Sequence, residues 1–291
     1  MDRLIIAIVG GLSLGGIYAL VALGFVFAYR ATATVSLAHG QLVVAAAFVV
    51  GYLQTQGGWP FAGQLLLALF VTALIAAIFY RGALQTLIGK SEHMGLIATL
   101  GLASIVKGAV LWKFGSVTYT LRVPWLSPGT FTLLGARIDR ATFLTACTTV
   151  VLALLIAGAL RYSHLGTQVL AAGQDPILAS QGGINIHRIF LGSWAVSGAL
   201  AALAGVLYAN VSVVSQDLEI AAFAAIPAIV IGGFDSIGGA VVGGIAVGIL
   251  QQFVSTYYDS AFASPAAYIL LLLVLLVRPQ GLFGTKEALR V

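Results

Sequence analysis

Leu4–Tyr29 reads LIIAIVGGLSLGGIYALVALGFVFAY, a run with no charged residue in it. A helix needs about 20 apolar residues to cross a hydrocarbon core of about 30 Å, and this run exceeds that length. Only one arginine, Arg3, precedes it, and no small-residue cleavage pattern follows it before the next apolar stretch. It therefore reads as a retained membrane helix and not as a signal peptide.

Eight further stretches meet or approach the same length. They are Val35–Leu53, Phe61–Tyr80, Leu96–Trp112, Ala141–Leu160, Ile189–Val214, Ile220–Ile231, Ala240–Phe253 and Pro265–Val277. The seventh and eighth segments of the whole set are short and Gly-rich, and read as a broken or tilted pair. The expected fold is all-α: a polytopic membrane helix bundle of eight or nine segments, some broken, forming one transmembrane domain over residues 1–291.

Composition agrees. Of the 291 residues, 60% are hydrophobic and 8% charged, against about 45–50% and about 25% in a soluble domain. A soluble enzyme, a disordered chain and a disulfide scaffold are all excluded. The single cysteine, Cys147, sits in an apolar run and is expected to be a buried thiol. The net charge of +5 comes from dispersed residues, so no nucleic-acid partner is expected.

Basic residues orient the bundle. Arg30, Arg81, Lys90, Arg161, Arg188, Arg278, Lys286 and Arg290 fall on one side under alternating crossings, which the positive-inside bias makes cytoplasmic. The other side holds Lys113, Arg122, Arg137 and Arg140, with Asp139, Asp217, Glu219 and Asp259. The C-terminus is then cytoplasmic and the N-terminus outside.

Glycine is abundant, 35 residues, where the usual share is about 7%. Gly11/Gly15, Gly239/Gly243 and Ala201/Gly205 are small-residue pairs suited to close helix packing. Gly10–Gly16 echoes Gly238–Gly244, a match too short to define a repeat.

No catalytic or metal motif is present. Leu87–Ser91 ends like a phosphate-binding loop but has Leu84 where the leading glycine belongs. There is no H-E-x-x-H, no G-x-S-x-G and no Cys/His cluster, so neither a cofactor nor an enzyme activity is expected. All nine acidic residues lie at segment ends or in loops, which argues against proton coupling. Lys107 is the ionisable group inside a span. With no carboxylate expected in a neighbouring span, it either snorkels outward, faces a pathway or meets a partner subunit.

Two polar stretches carry the functional expectation. In RYSHLGTQVLAAGQDPILASQGGINIHR, residues 161–188, Asp175 then Pro176 is an N-cap with proline at the first helical position. Gly182-Gly183 is a stop signal. A short helix is expected there, exposing Ile177 and Leu178 to a partner or to the membrane surface. Ser36–Gly40 interrupts two apolar runs. It reads as a helix break at a pathway, with Ser36, His39 and Gly40 as wall residues, or as an ordinary turn.

Taken together, these segments resemble the smaller of the two paired permease subunits of branched-chain amino acid ABC importers. The likeness is carried by Gly11–Leu20, by Ala38-His39-Gly40, and by Ala172–Ile186 with Asp175, Ala179, Gly183 and Ile184. Gly232–Gly239 and Arg278–Gly284 add to it. The resemblance implies a bacterial inner-membrane permease without catalysis of its own. It also implies a second homologous permease, two ABC ATPase subunits, a periplasmic substrate-binding protein and alternating access. The ATPase would dock on loop 161–189, at Asp175, Pro176, Ile177, Leu178, Ala179 and Gly183. Ser36-Leu37 stands where the family usually has Asn-Phe, and Gln41 where an acidic residue is common. These departures leave urea, short amides or another small polar solute as alternatives, and a passive channel as the contrasting class.

Overall fold

The computed structural model describes residues 2–284 except 89, 91, 127 and 134. Lys286, Glu287 and Arg290, and Gly89 and Ser91 of the loop-like stretch, lie outside the described residues.

The described residues form twelve α-helices and one hairpin. The order is α1 (Asp2–Thr32), α2 (His39–Gln56), α3 (Phe61–Gly82), α4 (Glu92–Phe114), β1 (Thr130–Leu133), β2 (Ala136–Asp139) and α5 (Arg140–Tyr162). Then follow α6 (His164–Gln174), α7 (Pro176–Gln181), α8 (Ile186–Val211), α9 (Leu218–Phe223), α10 (Ile226–Gly232), α11 (Ile237–Tyr257) and α12 (Ala263–Val277). Seven of the helical stretches are long and apolar enough to cross a membrane. With α2 and the broken α9–α10 pair they make the nine expected segments, and the chain is an all-α, multi-pass bundle.

α1 is the central post. It packs on α5, α8 and α11, and from Gly15 to Ala28 every residue is buried. Its seam with α11 runs on glycine: a Cβ at Gly248 would overlap the backbone of Gly15, and one at Gly11 would come 2.7 Å from Ile249 Cα. Water drives no burial between helices in lipid, so backbone approach at small residues supplies the contact. The small pairs of the sequence are thus packing sites, and the echo of Gly10–Gly16 with Gly238–Gly244 joins two segments of one seam.

Three expectations are corrected. The eighth segment is unbroken, a 21-residue helix opened by Ser236, whose hydroxyl accepts from Gly239 N. The break lies inside the seventh, between α9 and α10, where Ala224 and Ala225 separate the two pieces and Pro227 opens the second. Cys147 is exposed, not buried. It stands on the face of α5 that also exposes Val151, Leu154 and Leu155; lipid is as apolar as a protein core, so an apolar run does not say which face is inside.

The hairpin was not anticipated. β1 and β2 pair antiparallel, Thr130 opposite Asp139, and Ala136 and Ile138 cover Val9 near the start of α1. Asp139 then caps α5, its Oδ2 accepting from Thr142 N at 2.8 Å.

Candidate functional site

Residues 33–38 do not form a simple turn. The chain leaves α1 at Ala33, in the left-handed region at φ 51°, and runs back into the bundle before α2 begins. Leu37 N donates to Thr99 Oγ1 of α4 at 3.2 Å. His39 opens α2 against Gly24 of α1, where a Cβ would come 2.5 Å from the imidazole. Gly24 lies eight residues before Thr32, so α2 starts about 12 Å inside the end of α1. His39 stacks obliquely on Phe25 at 4.4 Å between ring centroids and lies 3.4 Å, through Nδ1, from Ser197 Oγ of α8.

This start is rich in buried polar atoms. Ser36 Oγ, His39 Nε2 and both amide atoms of Gln41 are buried without a hydrogen-bond partner among the described residues. Each such group carries a desolvation cost of about 1–3 kcal/mol. Packing alone would favour apolar residues there.

Gly40 faces the broken crossing. A Cβ on it would stand 3.5 Å from Ala222 Cβ and 3.5 Å from Glu219 Cγ, both on α9. Glu219 reaches on to α4, where Lys107 Nζ meets its Oε2 at 3.0 Å. This corrects the expectation that no carboxylate could relieve Lys107. The ammonium is paired with Glu219, across 112 positions of sequence. Gly40, Lys107 and Glu219 therefore converge. Ser36 and His39, next to Gly40 in the chain, are buried, and His39 lies beside α8.

Glu219 was missed as a site residue because it was read as a loop charge at the edge of the seventh segment. Its signal was present: an acidic residue one position before an apolar, broken crossing.

The second candidate site is at the other end of the chain's turns. Asp175 Oδ1 accepts from Ile177 N at 3.0 Å and Leu178 N at 2.9 Å, Pro176 takes the first helical position, and Gly183 sits at φ 85°. The capped helix α7 that results holds Ala179 inward and leaves Ile177 and Leu178 74% and 65% exposed. α6 supports it and was not foreseen as a helix; Ser163 caps it through Gly166 N. Arg30 closes on α6, where a Cβ at Gly173 would overlap its carbonyl. Tyr80, 3.5 Å from His187 Nδ1, shows that α3 ends beside the start of α8 at this same end. Among the described residues no group of His, Cys, Asp and Glu is arranged to hold a metal ion.

A multi-pass bundle with a broken, charged crossing and an exposed capped helix at one end is the build of a membrane transport component. Residues 7–278 match the family described as branched-chain amino acid transport system / permease component, and the chain belongs to that family. It is 31% identical to the high-affinity branched-chain amino acid transport system permease protein LivH of Escherichia coli K12, over 97% of this chain and 96% of that one. It is 28% identical to the permease protein BraD of Pseudomonas aeruginosa, over 98% and 97%. Among solved structures, PsaBC from Streptococcus pneumoniae in complex with Fab aligns with a TM-score of 0.51 at 16% identity, over 96% of this chain and 93% of that one. That likeness concerns the fold alone.

Proposed function

We propose that the chain is the permease subunit of an ATP-driven importer of branched-chain or related amino acids in the bacterial inner membrane. Its partners are a second homologous permease, two ABC ATPase subunits and a periplasmic substrate-binding protein. ATP is hydrolysed by the ATPases, and this subunit catalyses nothing. The family and the amino-acid permeases named above support this reading. The observation that carries the mechanism is α7: six residues, capped at both ends, with Ile177 and Leu178 exposed. Two large apolar side chains on so short a helix need a cover, and loop 161–189 offers them at the end rich in basic residues.

In this reading ATPase closure pushes α7, and α6 passes the displacement to the end of α1 and to α8. The path opens beside the inserted start of α2, with Ser36, His39, Gly40 and Lys107 along it. The unpaired polar atoms of Ser36, His39 and Gln41 are then satisfied by water or solute in the open state.

Replacing Ile177 and Leu178 together by Glu is the test. Membrane insertion should be unchanged, and solute-stimulated ATP hydrolysis should fall at least tenfold. Full stimulation in the double variant overturns the docking role. A passive channel would purify in mild detergent without ATPases and conduct its solute without ATP.

A further inference from the structure

We infer that the C-terminal stretch Arg278–Gly284 is a positioning element for transport: its backbone fixes α10, so that movement of the broken crossing is confined to α9, hinged at Ala224 and Ala225. Its part in transport rests on the function proposed above; its hold on α10 rests on hydrogen bonds and close backbone approach.

α12 ends at Val277, and Arg278 is extended, at φ −140° and ψ 91°, as a residue before proline favours. A turn follows in which Gly281 N donates to Arg278 O at 3.0 Å. The chain then crosses the end of α10. A helix leaves its last four carbonyls without partners of its own. In α10 these belong to Ile229, Val230, Ile231 and Gly232. Gly233 N donates to the first two, at 2.8 and 3.2 Å. Leu282 N donates to Ile231 O at 2.8 Å and Phe283 N to Gly232 O at 3.2 Å, which completes the set. Glycine permits the approach. Gly281 and Gly233 are both left-handed, at φ 79° and 101°, and a Cβ on Gly281 would come 2.8 Å from Gly233 N. The side chains of Leu282 and Phe283 stay 42% and 52% exposed. The hold is made by backbone and not by side chains.

α10 is gripped by α11 as well. A Cβ on Gly232 would overlap the backbone of Gly239, and one on Gly243 the carbonyl of Ala228. Main chain on main chain leaves no side chain to repack. α9 is joined differently. It has no side-chain cap, meets Gly40 of α2 at Ala222, and reaches α4 through the Glu219 side chain. An ion pair between two long side chains opens and re-forms without a main-chain clash. The turn after α10 also faces the end that carries α6 and α7. Phe234 stacks obliquely on Tyr29 of α1, 5.1 Å between ring centroids, one residue from Arg30, which closes on α6. A displacement carried by α6 to α1 therefore arrives beside this turn. With α10 fixed, the crossing answers at α9, opposite Lys107. With α10 loose, the displacement is absorbed at the turn.

Two variants separate backbone from side chain. Leu282→Pro removes the N–H that bonds Ile231 O, whereas Leu282→Ala removes most of the side chain and keeps the bond. Each is compared with the unaltered chain in the intact complex in membranes. The readouts are hydrogen exchange over residues 226–236, amino-acid uptake and stimulated ATP hydrolysis, all per assembled complex. In Leu282→Pro, exchange should speed up and uptake fall about tenfold while ATP hydrolysis persists, so that more ATP is used per solute. Leu282→Ala should match the unaltered chain. An unchanged ratio of ATP to solute in Leu282→Pro overturns the positioning role, and an equal loss in Leu282→Ala overturns its backbone origin. Where Leu282→Pro does not assemble, Phe283→Pro, which removes the 3.2 Å bond, takes its place. Failure of both to assemble makes the stretch a folding element and overturns the proposal. If the unaltered complex imports no amino acid with ATP, the function proposed above is what fails, and hydrogen exchange still decides whether the stretch fixes α10.

Discussion

α4 and α12 are both apolar spans, but they are built for different neighbours. α12 exposes Ile269, Leu272, Leu273, Leu276 and Val277 and buries Ala267 alone. Large aliphatic side chains, no charge and no glycine make a wall that acyl chains cover at no cost. α4 buries Leu102, Val106 and Val110 and exposes Ile97, Ile105 and Trp112, but it also carries two open glycines, a serine and half an ion pair at its surface. Apolar length marks both helices as spans. What separates them is whether their exposed atoms have unmet needs, and those of α4 do.

The largest effect should come from stripping Lys107 of its partner. Glu219→Ala leaves an ammonium in the span, worth about 2.5–3.5 kcal/mol on the insertion scale. The variant should accumulate poorly, measured as folded subunit recovered from membranes. Lys107→Met added to it should restore most of the level, because removing both charges removes the debt; failure of the rescue would mean Glu219 acts through something other than Lys107. The next effect runs the comparison backwards. Leu273→Lys places a new charge on the lipid wall of α12, where it should lower thermal stability in bilayers by an amount corresponding to about 2–3 kcal/mol. If it is tolerated, α12 is not lipid-facing and the contrast collapses.

A smaller effect on folding but a sharper one on transport is expected of Lys107→Met alone. Assembly and basal ATP hydrolysis should persist, with uptake of a carboxylate-bearing solute reduced. Unchanged uptake would remove Lys107 from the path. The smallest effect belongs to Leu272→Val, which trims a methylene facing lipid and should shift stability by about 0.5 kcal/mol or less in a thermal melt.

Local features were legible in the sequence. The span of α1 follows from apolar length, and α7 follows from Asp175-Pro176 and Gly182-Gly183, because caps act on neighbouring residues. What failed was whatever depends on distant parts. Glu219 and Lys107 meet across the fold, and no window of sequence contains both. Cys147 was misplaced because the inside and outside of a membrane bundle are equally apolar. The hairpin hid because four-residue strands between charges look like loop. The inserted stretch 33–38 was half-read: the polar interruption was visible, but that it folds inward depended on Gly24 making room for His39.

The separation of Lys107 from Glu219 also sets a clock. At about 5–20 residues per second, the ribosome takes about 6–22 s to pass from the lysine to its carboxylate. The nascent α4 therefore enters the bilayer with an unmatched cation. A lysine side chain is long enough to reach toward a membrane surface while α5 to α8 are being made. The pair of Lys107 with Glu219 can therefore close only late in synthesis, once α9 has been made.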